Sequence, residues 1–297
     1  MDRLEAMSAL VAAIEAGSLS AASRKLGMPL ATVSRKVSEL ERHLHTRLLN
    51  RTSRRLILTD AGRSYVAACK RILEEMSEAE RAAAGEYSAP KGDLIVTAPI
   101  VFGRLHVLPV VLEFLRAHPE IDVRLRLADH VINLQEEHVD LAVRIGELPD
   151  SSLVASRVGS IDRVVCGSPA YFAERGTPKK PDELSGHDCI TFSGTTSPDA
   201  WIFPRGKDRI SVAVHSRLTV NTAEAAIDAA VAGLGVTRVL SYQAGNAIRT
   251  GALVIALGEF QPPPMPVSLV HAGQGLLPLK VRAMLDFAAP RLRARLA

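Results

Sequence analysis

The sequence predicts an α/β protein in three parts: a small helical head, one long helix, and a larger segment of alternating strands and helices. Three observations carry that expectation. Apolar residues recur at helical spacings through the first sixty positions and again along the next twenty-odd. Beyond residue 92, short β-branched runs alternate with helical patterns, which reads as α/β architecture with parallel strands. The length of 297 residues suggests two or three domains at roughly 100–200 residues each.

The elements follow in order. Leu4, Met7, Leu10, Val11 and Ile14 form one apolar face of a first helix, which Gly17 stops. Ser18 is an N-cap candidate for a second short helix, Leu19 to Leu26, and Gly27 breaks it. Pro29 sits at the start of a third helix, where its missing N–H costs little. Val33, Val37, Leu40 and Leu44 are the buried face of that helix. Two short helices joined by a tight glycine-containing turn form a helix-turn-helix pattern. Arg51-Thr52-Ser53-Arg54-Arg55 then leads into Leu56-Ile57-Leu58, a basic turn before a short β run, and reads as the wing of a winged helix-turn-helix.

A long helix begins at Thr59 or Asp60. Its Tyr65, Cys69, Ile72, Met76, Ala79 and Ala83 alternate spacings of four and three, an a/d seam that expects a partner helix and therefore dimerisation. Ser88-Ala89-Pro90-Lys91-Gly92 reads as a hinge. Strands are expected at 94–97, 122–127, 141–143 and 163–166, and a helix at 107–115. The roughly 205 residues after Gly92 are large for one lobe, so two lobes with a cleft are expected. The crossings fall near Ser160-Ile161 and in the proline-rich run 262–266. The expected boundaries are 1–60 for the winged head and 61–88 for the linker helix. The two-lobed domain takes 89–297, with lobe I at about 89–160 and 267–297 and lobe II at about 161–266.

Charge indicates what the head is for. The whole chain carries +4, but nine bases and two acids between Gly17 and Arg55 give that segment alone +7, so the remainder is net acidic. Positive charge concentrated on a helix-turn-helix expects double-stranded DNA as partner. Other classes recede. The longest stretch without Asp, Glu, Lys or Arg, residues 260–279, contains five prolines and two glycines and cannot form a spanning helix. The N-terminus shows no secretion-signal pattern, which leaves a cytoplasmic expectation. Three widely spaced cysteines, Cys69, Cys166 and Cys189, form neither a disulfide framework nor a zinc site and read as small core residues. No metal-ligand cluster, nucleophile elbow or phosphate-binding loop is present, so neither an enzyme, a metal nor a cofactor is expected. A transporter's solute-binding protein would lack the basic head. A nucleoid-type architectural protein would bind DNA without sequence preference.

The run from Gly17 to Gly27, then Ala31-Thr32-Val33-Ser34-Arg35-Lys36-Val37 and Leu40-Glu41, closely resembles the DNA-binding region of LysR-type transcriptional regulators. Leu48-Leu49-Asn50-Arg51-Thr52 and Leu58-Thr59-Asp60-Ala61-Gly62 resemble that family's wing and the start of its linker helix. Asp140-Leu141-Ala142-Val143-Arg144-Ile145-Gly146, Ser168-Pro169-Ala170-Tyr171-Phe172 and Ala232-Gly233-Leu234-Gly235-Val236 are similar to its effector domain, so the resemblance covers essentially the whole chain. It implies a winged helix-turn-helix, a dimerising linker helix and a two-lobed domain like a periplasmic binding protein. It also implies a homodimer or dimer of dimers, a small-molecule effector and contact with RNA polymerase. Many relatives carry a polar residue where this chain has Leu30, which can touch a thymine methyl but makes no bidentate pair.

Candidate DNA-binding residues are Ser18, Pro29, Leu30, Thr32, Ser34, Arg35 and Lys36 on the helix-turn-helix, and Arg51, Thr52, Arg54 and Arg55 on the wing. Thr32 and Arg35 are assigned to base edges or adjacent phosphates, and Ser34 to a phosphate. Effector candidates follow from the rule that ligands bind beyond the carboxyl ends of strands, near free helix N-termini. They are Ala98, Pro99, Ile100, Val101 and Phe102 after the first strand, and Thr191 and Ser193 at the matching point of lobe II. Asn221 and Thr222 precede a later helix, and Gly235 lies in the resembling glycine motif. Arg144 and Gly146 follow a buried strand, Arg144 pairing either with an effector carboxylate or within an internal salt bridge. Backbone and hydroxyl donors suit a small organic anion.

Overall fold

The computed structural model describes residues 2–51, 56–83, 89–130, 133–134, 137–149, 152–192, 200–206, 208–273 and 277–296. The chain divides into two compact units, Met1–Ala89 and Pro90–Ala297.

The first unit opens with α1 (Arg3–Glu15), which Asp2 caps by accepting from the amides of Leu4 at 2.9 Å and Glu5 at 3.3 Å. Ser18 caps α2 (Leu19–Leu26) by accepting from Ala21 N at 3.1 Å. Gly27 ends α2 at φ +63°, a left-handed position that glycine adopts without a Cβ penalty, and the chain turns into α3 (Leu30–His43). Ala9, Leu10 and Ala13 of α1, Ala22 of α2, and Val33, Val37 and Leu40 of α3 close one core. Strands β1 (Leu49–Arg51) and β2 (Leu56–Leu58) pair antiparallel, with Asn50 opposite Ile57. Glu41 fixes the approach to β1, its Oε1 accepting from the amides of Leu48 and Leu49. Thr59 then caps α4 (Asp60–Ala83), accepting from Gly62 N at 2.9 Å. At 1.5 Å per residue, the 24 residues of α4 span about 36 Å.

The second unit begins with β3 (Gly92–Ala98). It passes through α5 (Ile100–Phe102) and a π-helical turn into α6 (Leu108–Ala117). Strands β4 (Ile121–Leu127), β5 (Leu141–Ile145) and β6 (Leu153–Ile161) follow, and the chain crosses to lobe II. There it forms β7 (Arg163–Gly167), α7 (Pro169–Arg175), β8 (Asp188–Phe192), β9 (Ala200–Arg205) and β10 (Asp208–Ala213). Next come β11 (His215–Val220), α8 (Ala223–Val231), β12 (Val236–Leu240), α9 (Ser241–Arg249) and β13 (Val254–Ala256). The chain returns through the prolines to β14 (Met265–Ala272) and α10 (Leu279–Leu296).

Each lobe has a five-stranded sheet, in the orders β4-β3-β5-β14-β6 and β11-β8-β12-β7-β13. The expectation of parallel strands is corrected here, because both sheets are mixed. In lobe I, β3 runs parallel to β4 and β5, but β14 runs antiparallel to β5 and β6. In lobe II, β12 runs parallel to β8 but antiparallel to β7, and β13 is antiparallel to β7. The reason is the crossings. A strand entering a lobe from the hinge starts at the carboxyl edge of its sheet, so β7 and β14 must run against the parallel strands. The two carboxyl edges consequently both face the hinge.

The larger core of lobe I lies on one sheet face, where Leu94, Val96 and Ala98 meet Phe102, Val110 and Phe114 from one side and Val281, Met284 and Leu292 of α10 from the other, and on the opposite face Ala142 and Val270 pack with Leu134 and Val139. The sheet of lobe II is buried on both faces. Val164, Cys166 and Val239 pack on α8 and α9, while Val165, Cys189 and Val236 pack under Trp201 and Phe203 of the β9–β10 hairpin. All three cysteines are buried free thiols, and burial pushes Cys166 and Cys189 up to about 12, so both stay neutral. Tyr242 at the start of α9 joins the lobes, its ring 5.4 Å edge-on to Phe102 and 5.9 Å from His106.

Candidate functional site

In the head, α3 is the second helix of the helix-turn-helix, and its side chains fall into two sets. Val33 and Val37 are fully buried and hold the helix down. Leu30 is 45% exposed at the first helical position, and Arg35 is exposed with no ion-pair or hydrogen-bond partner among the described residues. Pro29 precedes the helix, its carbonyl accepting from Thr32 N and Val33 N. Thr32 and Ser34 are half-buried. Lys36 is different. Its ammonium pairs with Glu5 and its side chain is only 15% exposed, so it ties α3 to α1. Lys25 is likewise engaged with Glu15 at 2.9 Å, and Lys70 of α4 reaches the same carboxylate at 2.9 Å. The two lysines hold Glu15 below the usual carboxylate range. Ser18 is occupied as an N-cap. Arg51 ends β1, and Thr52, Arg54 and Arg55 lie outside the described residues.

The proposed seam of α4 divides in two. Cys69 is fully buried, and Tyr65 packs with Val66 against the head's own core. Ile72 and Met76 are 43% and 40% exposed, and Ala79 is exposed. Ala83 closes the helix, and nothing is described of its side chain. One regular seam therefore serves two surfaces: its first turns anchor the helix to its own domain, and the later ones face outward.

In the second unit the effector candidates lie on several elements and differ in burial and partners. Ala98 and Phe102 are fully buried in the lobe I core, and Val101 is 4% exposed. Pro99 precedes the short α5, whose first amide is already taken, since Ile100 N donates to Asp129 Oδ1 at 2.9 Å. Thr191 is pinned by hydroxyl contacts to Ser216 at 2.6 Å and Thr219 at 3.3 Å, linking β8 to β11. Thr222 caps α8, accepting from Ala225 N at 3.3 Å, and Asn221 is exposed beside it. A Cβ at Gly235 would collide with the carbonyl of Asp188, so this glycine permits β12 to approach β8. Arg144 stands opposite Ser268 across β5 and β14, and burial lowers its pKa against the opposing influence of Glu137. Ser193 lies outside the described residues.

A cavity of about 430 Å³ does form between the lobes, and of the candidates only Gly146 lines it. Lobe I contributes Gly146, Glu147, Met265 and Pro266, the crossing contributes Pro262, Pro263 and Pro264, and lobe II contributes Arg163, Arg238 and the β9–β10 hairpin. Trp201 and Phe203 of that hairpin form an aromatic wall. Arg238 is 8% exposed, donates to Ile202 O at 2.7 Å and stacks 4.7 Å from the Phe203 ring centroid. Burial lowers its pKa to about 10, and the nearby Arg163 adds to the shift. Sequence reasoning missed this arginine pair. The signal was present, since Arg238 is the one charged residue inside the strand Val236-Thr237-Arg238-Val239-Leu240.

A basic helix-turn-helix and a two-lobed α/β domain holding a polar-and-aromatic cavity at its hinge define a class, the ligand-responsive DNA-binding regulators. Residues 4–63 match the family described as bacterial regulatory helix-turn-helix protein, lysR family, and residues 88–293 match the LysR substrate binding domain. The chain belongs to the LysR family and is a DNA-binding transcriptional regulator rather than an enzyme. It is 34% identical over 289 residues to an HTH-type transcriptional repressor of Pseudomonas aeruginosa, covering 97% of this chain and 91% of that one. It is 31% identical over 288 residues to the HTH-type transcriptional activator AaeR of Escherichia coli, covering 96% and 93%. The solved structure of CrgA, a LysR-type transcriptional regulator from Neisseria meningitidis, is 32% identical with a TM-score of 0.61, covering 97% of this chain and 98% of that one. Among the described residues no single helix is long and apolar enough to cross a membrane.

Proposed function

We propose that the protein reads a specific DNA site with α3 and its wing, and that a small molecule in the cavity between the lobes sets how those contacts are made. The observation that carries this reading is the position of the cavity. It lies at the carboxyl edges of both sheets and takes its walls from both lobes and from the crossing between them, so a ligand there has different contacts in different lobe orientations. A ligand shifts an equilibrium only by its differential affinity for the two states, and a site walled by both lobes supplies one.

The labour divides along the chain. Residues 1–60 bind DNA, 61–88 join two copies, and 89–297 bind the effector. Thr32, Ser34, Arg35 and the wing residues Arg51, Thr52, Arg54 and Arg55 make the DNA contacts, Arg35 carrying the largest share because its guanidinium is exposed and uncommitted. Leu30 offers an apolar contact to a thymine methyl. Ile72, Met76 and Ala79 supply the helix–helix contact of a homodimer or a dimer of dimers. The regulator works in the cytoplasm and acts on RNA polymerase through the spacing of its paired heads.

Fluorescence anisotropy with the duplex upstream of its own gene, against a scrambled duplex, tests the reading across a salt series. Tighter binding to the upstream duplex, weakening steeply with salt, is expected. Equal binding to both duplexes would replace sequence-specific regulation with an architectural role.

A further inference from the structure

We propose that the interlobe cavity takes a small organic monocarboxylate with an apolar body, and that Arg163 holds its carboxylate. The inference rests on the reading of this cavity as the effector site and goes on to name the ligand's chemistry.

The cavity wall carries cations without a matching anion among the described residues. Arg163 opens β7 directly after the chain crosses between lobes and lines the cavity. Its one polar partner among the described residues is the thioether of Met265, 3.6 Å from Nη2, and a thioether is a weak acceptor that carries no charge. Arg238, in the same wall, is committed to Ile202 O and to the Phe203 ring. Arg209 adds a third cation on the exposed β10, and the only acid in the lining, Glu147, is exposed and makes no ion pair among the described residues. A half-buried guanidinium without a counter-charge is unfavourable, because desolvation is not offset by attraction. Burial lowers the pKa of both Arg163 and Arg238, in keeping with sites that lack an anion.

The rest of the lining decides what the anion is attached to. Trp201, Ile202, Phe203, Pro262, Pro263 and Pro264 offer ring faces and methylene groups. The volume of about 430 Å³ is near the small end of ligand pockets, which run from roughly 300 to 1,000 Å³. One uncommitted guanidinium, a planar fork matched to a carboxylate, facing an apolar wall, fits one acid group on an apolar body better than a multiply charged phosphate.

Trp201 is the only tryptophan of the chain and stands in the cavity wall, so its emission reports occupancy directly. The full-length protein is titrated with hexanoate and benzoate, with the neutral hexanamide and benzamide, and with inorganic phosphate. A saturable change with the carboxylates is expected, with at least tenfold weaker response to the amides and none to phosphate. Arg163→Lys retains part of the carboxylate response and Arg163→Met removes it. Arg163→Met also raises the melting temperature of the ligand-free protein by about 2–4 °C, since it deletes an unpaired charge. Equal response to acids and amides, unchanged by Arg163→Met, overturns the carboxylate assignment while keeping the cavity as the effector site. A response to phosphate alone also overturns it. A lowered melting temperature in Arg163→Met with the carboxylate response intact makes Arg163 a structural residue. No change of Trp201 emission with any probe overturns the cavity reading itself.

Discussion

Two adjacent bases on α3 test the proposed separation of DNA contact from structural support. Arg35 is exposed and unpaired among the described residues, whereas Lys36 is 15% exposed and bound to Glu5 of α1. Charge and sequence position are nearly the same, so an electrostatic account that counted bases would expect equal effects from Arg35→Ala and Lys36→Ala. The structure expects different ones. On the proposed assignment, Arg35→Ala removes a base-edge or phosphate contact worth about 1–3 kcal/mol, roughly 5- to 150-fold in affinity per recognition helix. If the lost contact is to phosphate, the slope of log K against log salt becomes shallower by about 0.9 per helix. Lys36→Ala instead removes an ion pair whose partner Glu5 is 48% exposed, so solvent screening limits the stability loss to about 1 kcal/mol or less. Anisotropy titrations at several salt concentrations, with thermal melts of the same samples, read both quantities. A large affinity loss for Lys36→Ala with no change in its melting temperature, matching that of Arg35→Ala, would refute the division.

Three further outcomes follow from other parts of the molecule. Met76→Glu places a charge on the outward part of α4 and is expected to lower the sedimentation coefficient by breaking the proposed dimer, while the head keeps its fold; an unchanged profile removes the dimer assignment. Glu15 has its pKa lowered by Lys70 and Lys25, so its contribution to stability is fully present above the ordinary value of 4.5 and is lost as pH falls through the lower folded value. The gap in denaturant midpoint between wild type and Glu15→Gln should therefore close on acidification below pH 4.5, and a gap constant from pH 7 to pH 3 contradicts the pairing. Gly235→Ala forces a methyl group onto the Asp188 carbonyl and is expected to destabilise lobe II by about 1–3 kcal/mol in a denaturant melt, without changing DNA affinity of the folded fraction.

The head was legible because its determinants are local. The N-cap at Ser18, the left-handed Gly27 and the buried faces of α1 and α3 lie within a few residues of the contacts they make. The same local reading of α4 ran into its limit at Cys69. An a/d seam states which side of a helix is apolar, not which neighbour covers each turn, and the first two seam positions turned inward. Strand direction in the lobes was also out of reach, because it depends on which edge the chain enters from after a crossing. The sequence places a crossing at 262–266, and Pro262 to Pro264 lie between β13 and β14 while Pro266 is the second residue of β14, yet nothing in their spacing reverses β14 relative to β5. The cavity was least legible of all. Its walls come from positions as far apart as Gly146, Arg163, Trp201, Arg238 and Pro263, brought together only by the hinge and by the hairpin folding over β7 and β12. Rules about helix N-termini point to Ile100 and Thr222, where the Ile100 amide donates to Asp129 and the Thr222 hydroxyl accepts from Ala225 N, and neither residue lines the cavity.

The central claim is that occupancy of the interlobe cavity changes how the heads engage DNA. Fluorescence energy transfer between dyes at the two ends of the upstream duplex, bound by the full-length protein, measures this coupling as a change in DNA bend. The account predicts that the carboxylate that alters Trp201 emission also alters the transfer efficiency over the same concentration range, and that Arg163→Met abolishes both responses while still binding the duplex. A transfer efficiency that stays constant while Trp201 emission saturates would contradict it.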